Sequence, residues 1–247
     1  MALKISKKLK NFKKQSKENN MKVGILFSGG KDSVFATYLA RKEGNEISCL
    51  LTMISDNKES YMFHTPSVNK TKLQAQAMEI PIITQKTAGK KEEELEDLEK
   101  LIEKAIKKYK IQAVVTGAIE SVYQSSRIQK ICDKLDIKCL NPLWHTNPEK
   151  YWDSLFANNF EVMMIGVASW GLKQEWLGRK IDKSSLNELK KLQKEFNFHL
   201  GFEGGEAETF VTDCPLFKKR INVLKGRKIW EGNSGTYLIT KTEFIEK

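Results

Sequence analysis

Near the start of the chain an apolar run, Val23 to Phe27, stops at Ser28-Gly29-Gly30, and a helical pattern opens at once with Val34, Ala36, Tyr38, Leu39 and Ala40. This strand, glycine turn and helix start constrain the fold more than any other stretch. Glycines let the backbone turn sharply and approach an anion closely. Unpaired N–H groups and the positive end of the helix dipole then face that anion. Ser28 and Ser33 add hydroxyl donors and Lys31 a positive charge, so the junction reads as a phosphate site. It is not a Walker A loop, in which Gly-Lys precedes Ser or Thr; here Lys31 is followed by Asp32.

The pattern continues in alternation. Strand-like runs at 22–27, 47–53, 81–84, 111–116, 137–140 and 161–167 are interleaved with helical runs at 31–43, 68–79, 91–109, 121–135 and 148–158. That predicts a mainly parallel sheet covered on both faces. In 91–109, Leu95, Leu98, Leu101, Ile102, Ala105 and Ile106 share one face, with acids at the start and lysines at the end, as the helix dipole favours; this helix is scaffold. After Asn141-Pro142-Leu143-Trp144 the character changes. Residues 148–200 read as largely helical, and 208–245 as strands with hairpin signals at Lys225-Gly226 and Asn233-Ser234-Gly235. The expected organisation is a basic extension over 1–20, a nucleotide-binding α/β domain over 21–140, and a smaller α+β domain over 141–247 that closes over it.

The net charge of +11 is uneven: residues 1–20 hold seven lysines against Glu18, or +6, which leaves +5 for the remainder. Contact with nucleic acid is therefore expected through the basic tail only. No run approaches the roughly 18 apolar residues of a membrane span, and no apolar stretch follows the N-terminal lysines as in a signal peptide, so a cytoplasmic protein without membrane contact is expected. The four cysteines form no C-x-x-C pair and the three histidines are scattered, which argues for reduced structural thiols and against zinc or an iron–sulfur cluster.

Ligands in such a sheet bind beyond the carboxyl ends of the strands, where 28–33, 53–66, 117–127 and 141–147 emerge. Tyr61-Met62-Phe63-His64-Thr65-Pro66 packs aromatics and a histidine into a polar connection. Thr116-Gly117-Ala118-Ile119 ends a strand with small residues that permit close backbone approach. Ser121 caps a helix whose Tyr123, Gln124 and Arg127 lie near one face, and Arg127 can grip phosphate or carboxylate with two hydrogen bonds. A second constellation is Glu203-Gly204-Gly205-Glu206-Ala207-Glu208-Thr209. If 206–212 is extended, Glu206 and Glu208 share a face beside a double-glycine bend. Such carboxylates can bind a cationic substrate or Mg2+, or accept protons from an attacking amine; spacing alone equally allows a turn with exposed acids.

Ser28 to Ser33 resembles the PP-loop of the ATP pyrophosphatases, with their adenine nucleotide α-hydrolase-like fold, which split ATP between the α and β phosphates and adenylate a substrate oxygen. With it, in one order, stand Tyr61–Pro66, Thr116–Ile119 with Tyr123-Gln124, Pro142-Leu143-Trp144, Trp176-Leu177-Gly178-Arg179, and Glu203–Glu206 through Pro215. Together these resemble the diphthine–ammonia ligase family, from Met21 to about Ile221. Two positions depart from the family pattern: Ser67 where an Asn is usual after His-Thr-Pro, and Phe202 where a Gly usually precedes Glu-Gly-Gly-Glu.

The resemblance implies that diphthine on elongation factor 2 is amidated with ammonia, through an acyl-adenylate, to give diphthamide, AMP and pyrophosphate. It implies ATP and Mg2+ as cofactors. Ser28, Gly29, Gly30, Lys31 and Ser33 would hold the pyrophosphate, Asp32 would orient the loop or a metal-bound water, and Gly117 would let the nucleotide lie against the backbone. Lys31, Asp32 and Glu206 are the expected catalytic residues. Glu203, Gly204, Gly205, Glu206 and Glu208, with Tyr123, Gln124 and Arg127, would meet the acceptor. Tyr61 and Phe63 would offer an aromatic face to its trimethylammonium group, and His64 or a carboxylate would take a proton. No glutaminase domain is apparent, so free ammonia is the expected donor. The rival readings are a PP-loop ligase acting on tRNA and a non-catalytic adenine-nucleotide sensor. The sequence leaves homo-oligomerisation open.

Overall fold

The structure, a computed structural model, describes residues 20–55, 68–89 and 93–247, the side chains of Val68 and Asn69 excepted. The basic extension and the expected substrate residues Tyr61, Phe63 and His64, with Ser67, lie outside the described residues.

Five parallel strands form the first sheet in the order β3-β2-β1-β4-β5. They are β1 (Lys22–Leu26), β2 (Glu46–Ser55), β3 (Ile82–Thr87), β4 (Ala113–Val115) and β5 (Lys138–Leu140). Between them run α1 (Lys31–Lys42), α2 (Val68–Met78), α3 (Glu93–Tyr109) and α4 (Val122–Lys134). Alternation along the strands divides the apolar side chains between two faces. Val23, Ile25, Phe27, Leu50, Ala113 and Val115 face α1 and α2, while Cys49, Leu51, Met53 and Val114 face α3 and α4. The helix at 93–109 matches its pattern: Leu98, Leu101, Ile102 and Ala105 are fully buried, each large side chain contributing about 1.5–3 kcal/mol.

The chain then continues through α5 (Pro148–Ala157), β6 (Glu161–Val167), a 3-10 turn at Gln174–Trp176, β7 (Lys180–Ile181), α6 (Lys183–Phe196), β8 (Ala207–Asp213), β9 (Lys219–Glu231) and β10 (Ser234–Glu246). The strand-like run at 161–167 does not extend the parallel sheet. It is the centre of a second, antiparallel sheet, with β8 along one side and β7 and β10 along the other. The expected hairpin turn at Lys225-Gly226 is also corrected: β9 runs straight through it, and only the pairing register shifts opposite, on both sides of Lys241. Gly226 is there because the Tyr237 ring fills the place of its side chain, 2.4 Å from where a Cβ would sit. The turn itself is Gly232-Asn233.

One apolar core joins the two sheets. Val23 and Ile25 of the first and Phe35 of α1 share it with Met164, Phe210 and Val211 of the second and Trp152 of α5. Gln74 ties them with two hydrogen bonds from Nε2, to Gly29 O at 2.9 Å and to Val211 O at 2.8 Å. The second sheet thereby lies against the carboxyl edge of β1, where the glycine loop begins.

Candidate active site

The order β3-β2-β1-β4-β5 reverses direction between β1 and β4, since the chain leaves β1 toward β2 and returns to lay β4 on its other side. Ligands bind in the crevice that such a reversal opens at the carboxyl edge. A cavity of about 290 Å³ occupies it. Ser28, Gly30, Asp32 and Ser33 line one wall, with Thr116 and Gly117 beside them; Glu203, Gly205 and Glu208 line another. Leu26, Leu51, Met53, Ile128 and Ile165 supply an apolar portion. The two constellations singled out in the sequence thus meet across one cavity, although about 170 residues separate them along the chain.

The loop is held by its own hydroxyls. Ser33 Oγ accepts from the N–H groups of Ser28 (3.3 Å) and Gly29 (3.2 Å), and Ser28 Oγ accepts from Gly30 N (3.3 Å). Thr209 Oγ1, on β8, accepts from Lys31 N at 3.0 Å. A phosphate oxygen can replace these hydroxyls as the acceptor, because the same N–H groups at the start of α1 point into the loop. Gly29 has φ 79°, a left-handed conformation that strains side chains other than glycine. Gly117 allows a close approach of a different kind from the one expected: a Cβ there would lie 2.8 Å from Asp32 C and Ser33 N. Its missing side chain admits the start of α1, not only a ligand.

Lys31 lines the cavity as well, and its ammonium is engaged with the protein. Nζ donates to Asp32 Oδ1 (3.0 Å), Asp32 Oδ2 (2.9 Å) and Gly201 O (2.7 Å), which uses all three protons. The rings of Phe202, Tyr151 and Trp152 surround it at 5.3, 5.6 and 6.0 Å. The side chain is 2% exposed, and a charge so buried persists only when paired and hydrogen-bonded. Tyr151, on α5, donates its hydroxyl to Asp32 Oδ1 at 2.6 Å. Burial, then the charge of Asp32, pushes the phenol well above its ordinary range, so it stays a donor. Tyr151 and Gly201 are functional neighbours that no local sequence signal marks.

The acidic loop divides its roles. Glu206 does not line the cavity with its neighbours: its Oε1 accepts from His199 N and its Oε2 from Gly204 N, both at 2.8 Å. Both of its oxygens are thus engaged in folding the loop. Glu203 lines the cavity and accepts from Glu120 N at 3.2 Å. Burial, then the charge of Asp32, raises its carboxyl above the usual glutamate range, against the opposing pull of Lys31 and two backbone N–H groups. Glu208 lines the cavity from β8, and its charge offsets the burial that lowers the ammonium of Lys70 on α2. Phe202, the departure noted above, has φ 61°. The family glycine suits that left-handed backbone, and here a buried aromatic contact with Trp152 and Lys31 offsets the strain.

On α4, Ser121 caps the helix by accepting from Gln124 N at 3.3 Å, and Ser121 and Gln124 line the cavity. Arg127 lies flat on the Tyr123 ring at 3.5 Å, and its Nη1 donates to Tyr123 O at 3.4 Å. Of segment 141–147, Asn141 reaches the site indirectly through Thr116, at 2.5 Å. Among the described residues no group of three or more His, Cys, Asp or Glu could hold a metal alone. A phosphate-borne Mg2+ needs only one or two carboxylates besides phosphate and water, and Asp32, 28% exposed and facing the cavity, fits that part. No described helix is long and apolar enough to cross a membrane.

Family models for the diphthamide synthase N-terminal and C-terminal domains match residues 21–139 and 147–245. A curated diphthine–ammonia ligase of Rattus norvegicus is 35% identical over 222 residues, 82% of this chain and 83% of that protein. Its Homo sapiens counterpart is 33% identical over the same coverage. A Schizosaccharomyces pombe diphthine–ammonia ligase is 34% identical over 243 residues, and there the chain spans 92% of itself but 40% of the relative. Among solved structures, a predicted tRNA methyltransferase subunit of Methanocaldococcus jannaschii gives a TM-score of 0.43 at 19% identity, covering 79% of this chain and 98% of that one. With both halves matched and a relative more than four-fifths covered at 35% identity, the chain belongs to the diphthine–ammonia ligase family, the ligases called diphthamide synthases.

Proposed function

We propose that the chain amidates diphthine on elongation factor 2 with free ammonia, through an acyl-adenylate, releasing AMP and pyrophosphate. The observation that carries this reading is the single cavity bounded by an amide-and-hydroxyl loop on one side and by Glu203 and Glu208 on the other. One wall suits polyphosphate and the other suits a cation such as a trimethylammonium group. The apolar residues between them suit a purine.

The chemistry accounts for the parts. A carboxylate is a poor electrophile because expelling oxide from it is prohibitive. Its oxygen attacks the α-phosphorus of ATP, pyrophosphate leaves, and the leaving group on the carbonyl carbon becomes AMP. Ammonia then attacks that carbon, AMP departs, and one proton must be taken up. The N–H groups of Ser28, Gly29 and Gly30 and the hydroxyls of Ser28 and Ser33 receive the charge on the departing pyrophosphate. Mg2+, when bound, neutralises phosphate charge, with Asp32 as its protein ligand. Glu203 is the described residue best suited to take the proton, since burial and a neighbouring carboxylate raise its affinity for one. Glu206 positions the 199–206 loop that carries Glu203. Gln124, on α4, lines the cavity and meets the acceptor there; the family resemblance adds Arg127, Tyr61, Phe63 and His64 as acceptor-binding residues. We place the reaction in the cytoplasm, where translation factors reside and where the four free cysteines stay reduced.

The test is AMP and pyrophosphate release from ATP with ammonium and Mg2+, comparing diphthine-bearing elongation factor 2, the unmodified factor and bulk tRNA. Release confined to the diphthine form, and abolished in Asp32→Ala, supports the reading. Release with tRNA moves the protein to tRNA modification. ATP binding without turnover on any acceptor makes it a sensor.

A further inference from the structure

We propose that Lys31 and Tyr151 are positioning residues that fix the Asp32 carboxylate, and that the Lys31 ammonium is not a phosphate ligand. This rests on the proposed function only in the step that Asp32 serves. The geometry is unambiguous about the ammonium. Its three protons go to both oxygens of Asp32 and to Gly201 O, and three aromatic rings close around it. Turning Nζ toward the loop would break all three hydrogen bonds and leave Gly201 O and the cage without their cation.

Asp32 is held from two directions. Lys31 grips both oxygens, and Tyr151 donates to Oδ1 at 2.6 Å from α5, 119 residues away. Two donors meet Oδ1 and one meets Oδ2, so Oδ2 keeps the more acceptor capacity in the carboxylate that lines the cavity. The phosphate grip then falls to the backbone N–H groups and hydroxyls at the start of α1, and the charge of the loop is spent on aim. The fully buried hydroxyl of Tyr151 has no other partner than Asp32 among the described residues.

The experiment pairs Tyr151→Phe, which keeps the ring and removes the donor, with Lys31→Met, which keeps the stem and removes the charge. Melting curves establish that each variant is folded. Nucleotide affinity is measured by equilibrium dialysis of ATP without and with Mg2+, and turnover on diphthine-bearing elongation factor 2. The expected result for Tyr151→Phe is a kcat lowered about tenfold, a raised half-saturating Mg2+, and Mg2+-free ATP affinity within about twofold of wild type. Lys31→Met should likewise keep its Mg2+-free affinity within about threefold. Loss of more than about tenfold in that affinity in Lys31→Met, at unchanged affinity in Tyr151→Phe, makes Lys31 a phosphate ligand and overturns the proposal. So does a Tyr151→Phe enzyme with wild-type kcat and Mg2+ dependence. Should Lys31→Met not fold, Tyr151→Phe decides alone. If the wild type shows no turnover, the proposed function fails while the Mg2+-dependent affinities of both variants still test the positioning role.

Discussion

Glu203 and Lys31 make opposite uses of burial. Lys31 is compensated on every proton, whereas Glu203 sits in a partly desolvated wall with another carboxylate near it, so its charged form is penalised relative to a free glutamate. Because the folded-state value lies above the unfolded one, the stability contribution of Glu203 is complete below the ordinary glutamate range and is lost as pH rises through the raised value. Glu203→Gln is therefore expected to melt higher than wild type at neutral pH, with the difference vanishing near pH 4, and to lose activity by about a hundredfold. Thermal melts across pH, with rates at saturating ammonium, check both. A variant no more stable at pH 7 than wild type would show that the site does not penalise the charge. At this scale the sequence was partly legible. Ser28 to Ser33 and Glu203 announce themselves because glycine pairs and clustered acids are locally unusual. Tyr151 and Gly201 do not, because what makes them matter is a partner more than a hundred residues away. For Glu206 the limit is complementary: the spacing that marks a carboxylate says nothing of the backbone N–H groups it accepts from.

Elements follow from pattern more reliably than single side chains do. The five parallel strands and the helices between them were legible from alternating periodicity, and α3 from one apolar face. What was not legible is which sheet a strand joins. After Glu161 the run is apolar from Val162 to Val167, as a strand buried on both faces must be in either sheet, so composition could not assign it. Lys225-Gly226 carries the residues of a turn, but its glycine answers to a cross-strand tyrosine. The packing of α1 against β4 rests on such a contact too. Gly117→Ala would place a Cβ 2.8 Å from the backbone of Asp32 and Ser33, where no flexible side chain can yield. We expect a loss of about 1–3 kcal/mol in stability and about a hundredfold in kcat/KM as the start of α1 moves. Urea melts and initial rates measure these, and an alanine variant with wild-type values of both would show that the close approach is unimportant.

Across the whole molecule, the carboxyl edge of the parallel sheet is completed by the second sheet. Thr209 caps Lys31 N, Gln74 spans Gly29 and Val211, and Lys218 N donates to Ala77 O at 2.5 Å. The shared core and these ties predict one cooperative unfolding transition for the two sheets, seen by calorimetry as equal calorimetric and van't Hoff enthalpies. Two resolved transitions would contradict a jointly built site. The proposed division of labour across the cavity, polyphosphate on one wall and cationic acceptor on the other, makes one claim above the rest: that the acceptor carboxylate itself attacks the nucleotide. The direct measurement is a turnover with oxygen-18 in the carboxylate of diphthine on elongation factor 2. One labelled oxygen in each AMP is the predicted result, because that oxygen leaves the carbonyl carbon with the adenylate. Unlabelled AMP, or ADP and labelled orthophosphate in its place, would contradict it.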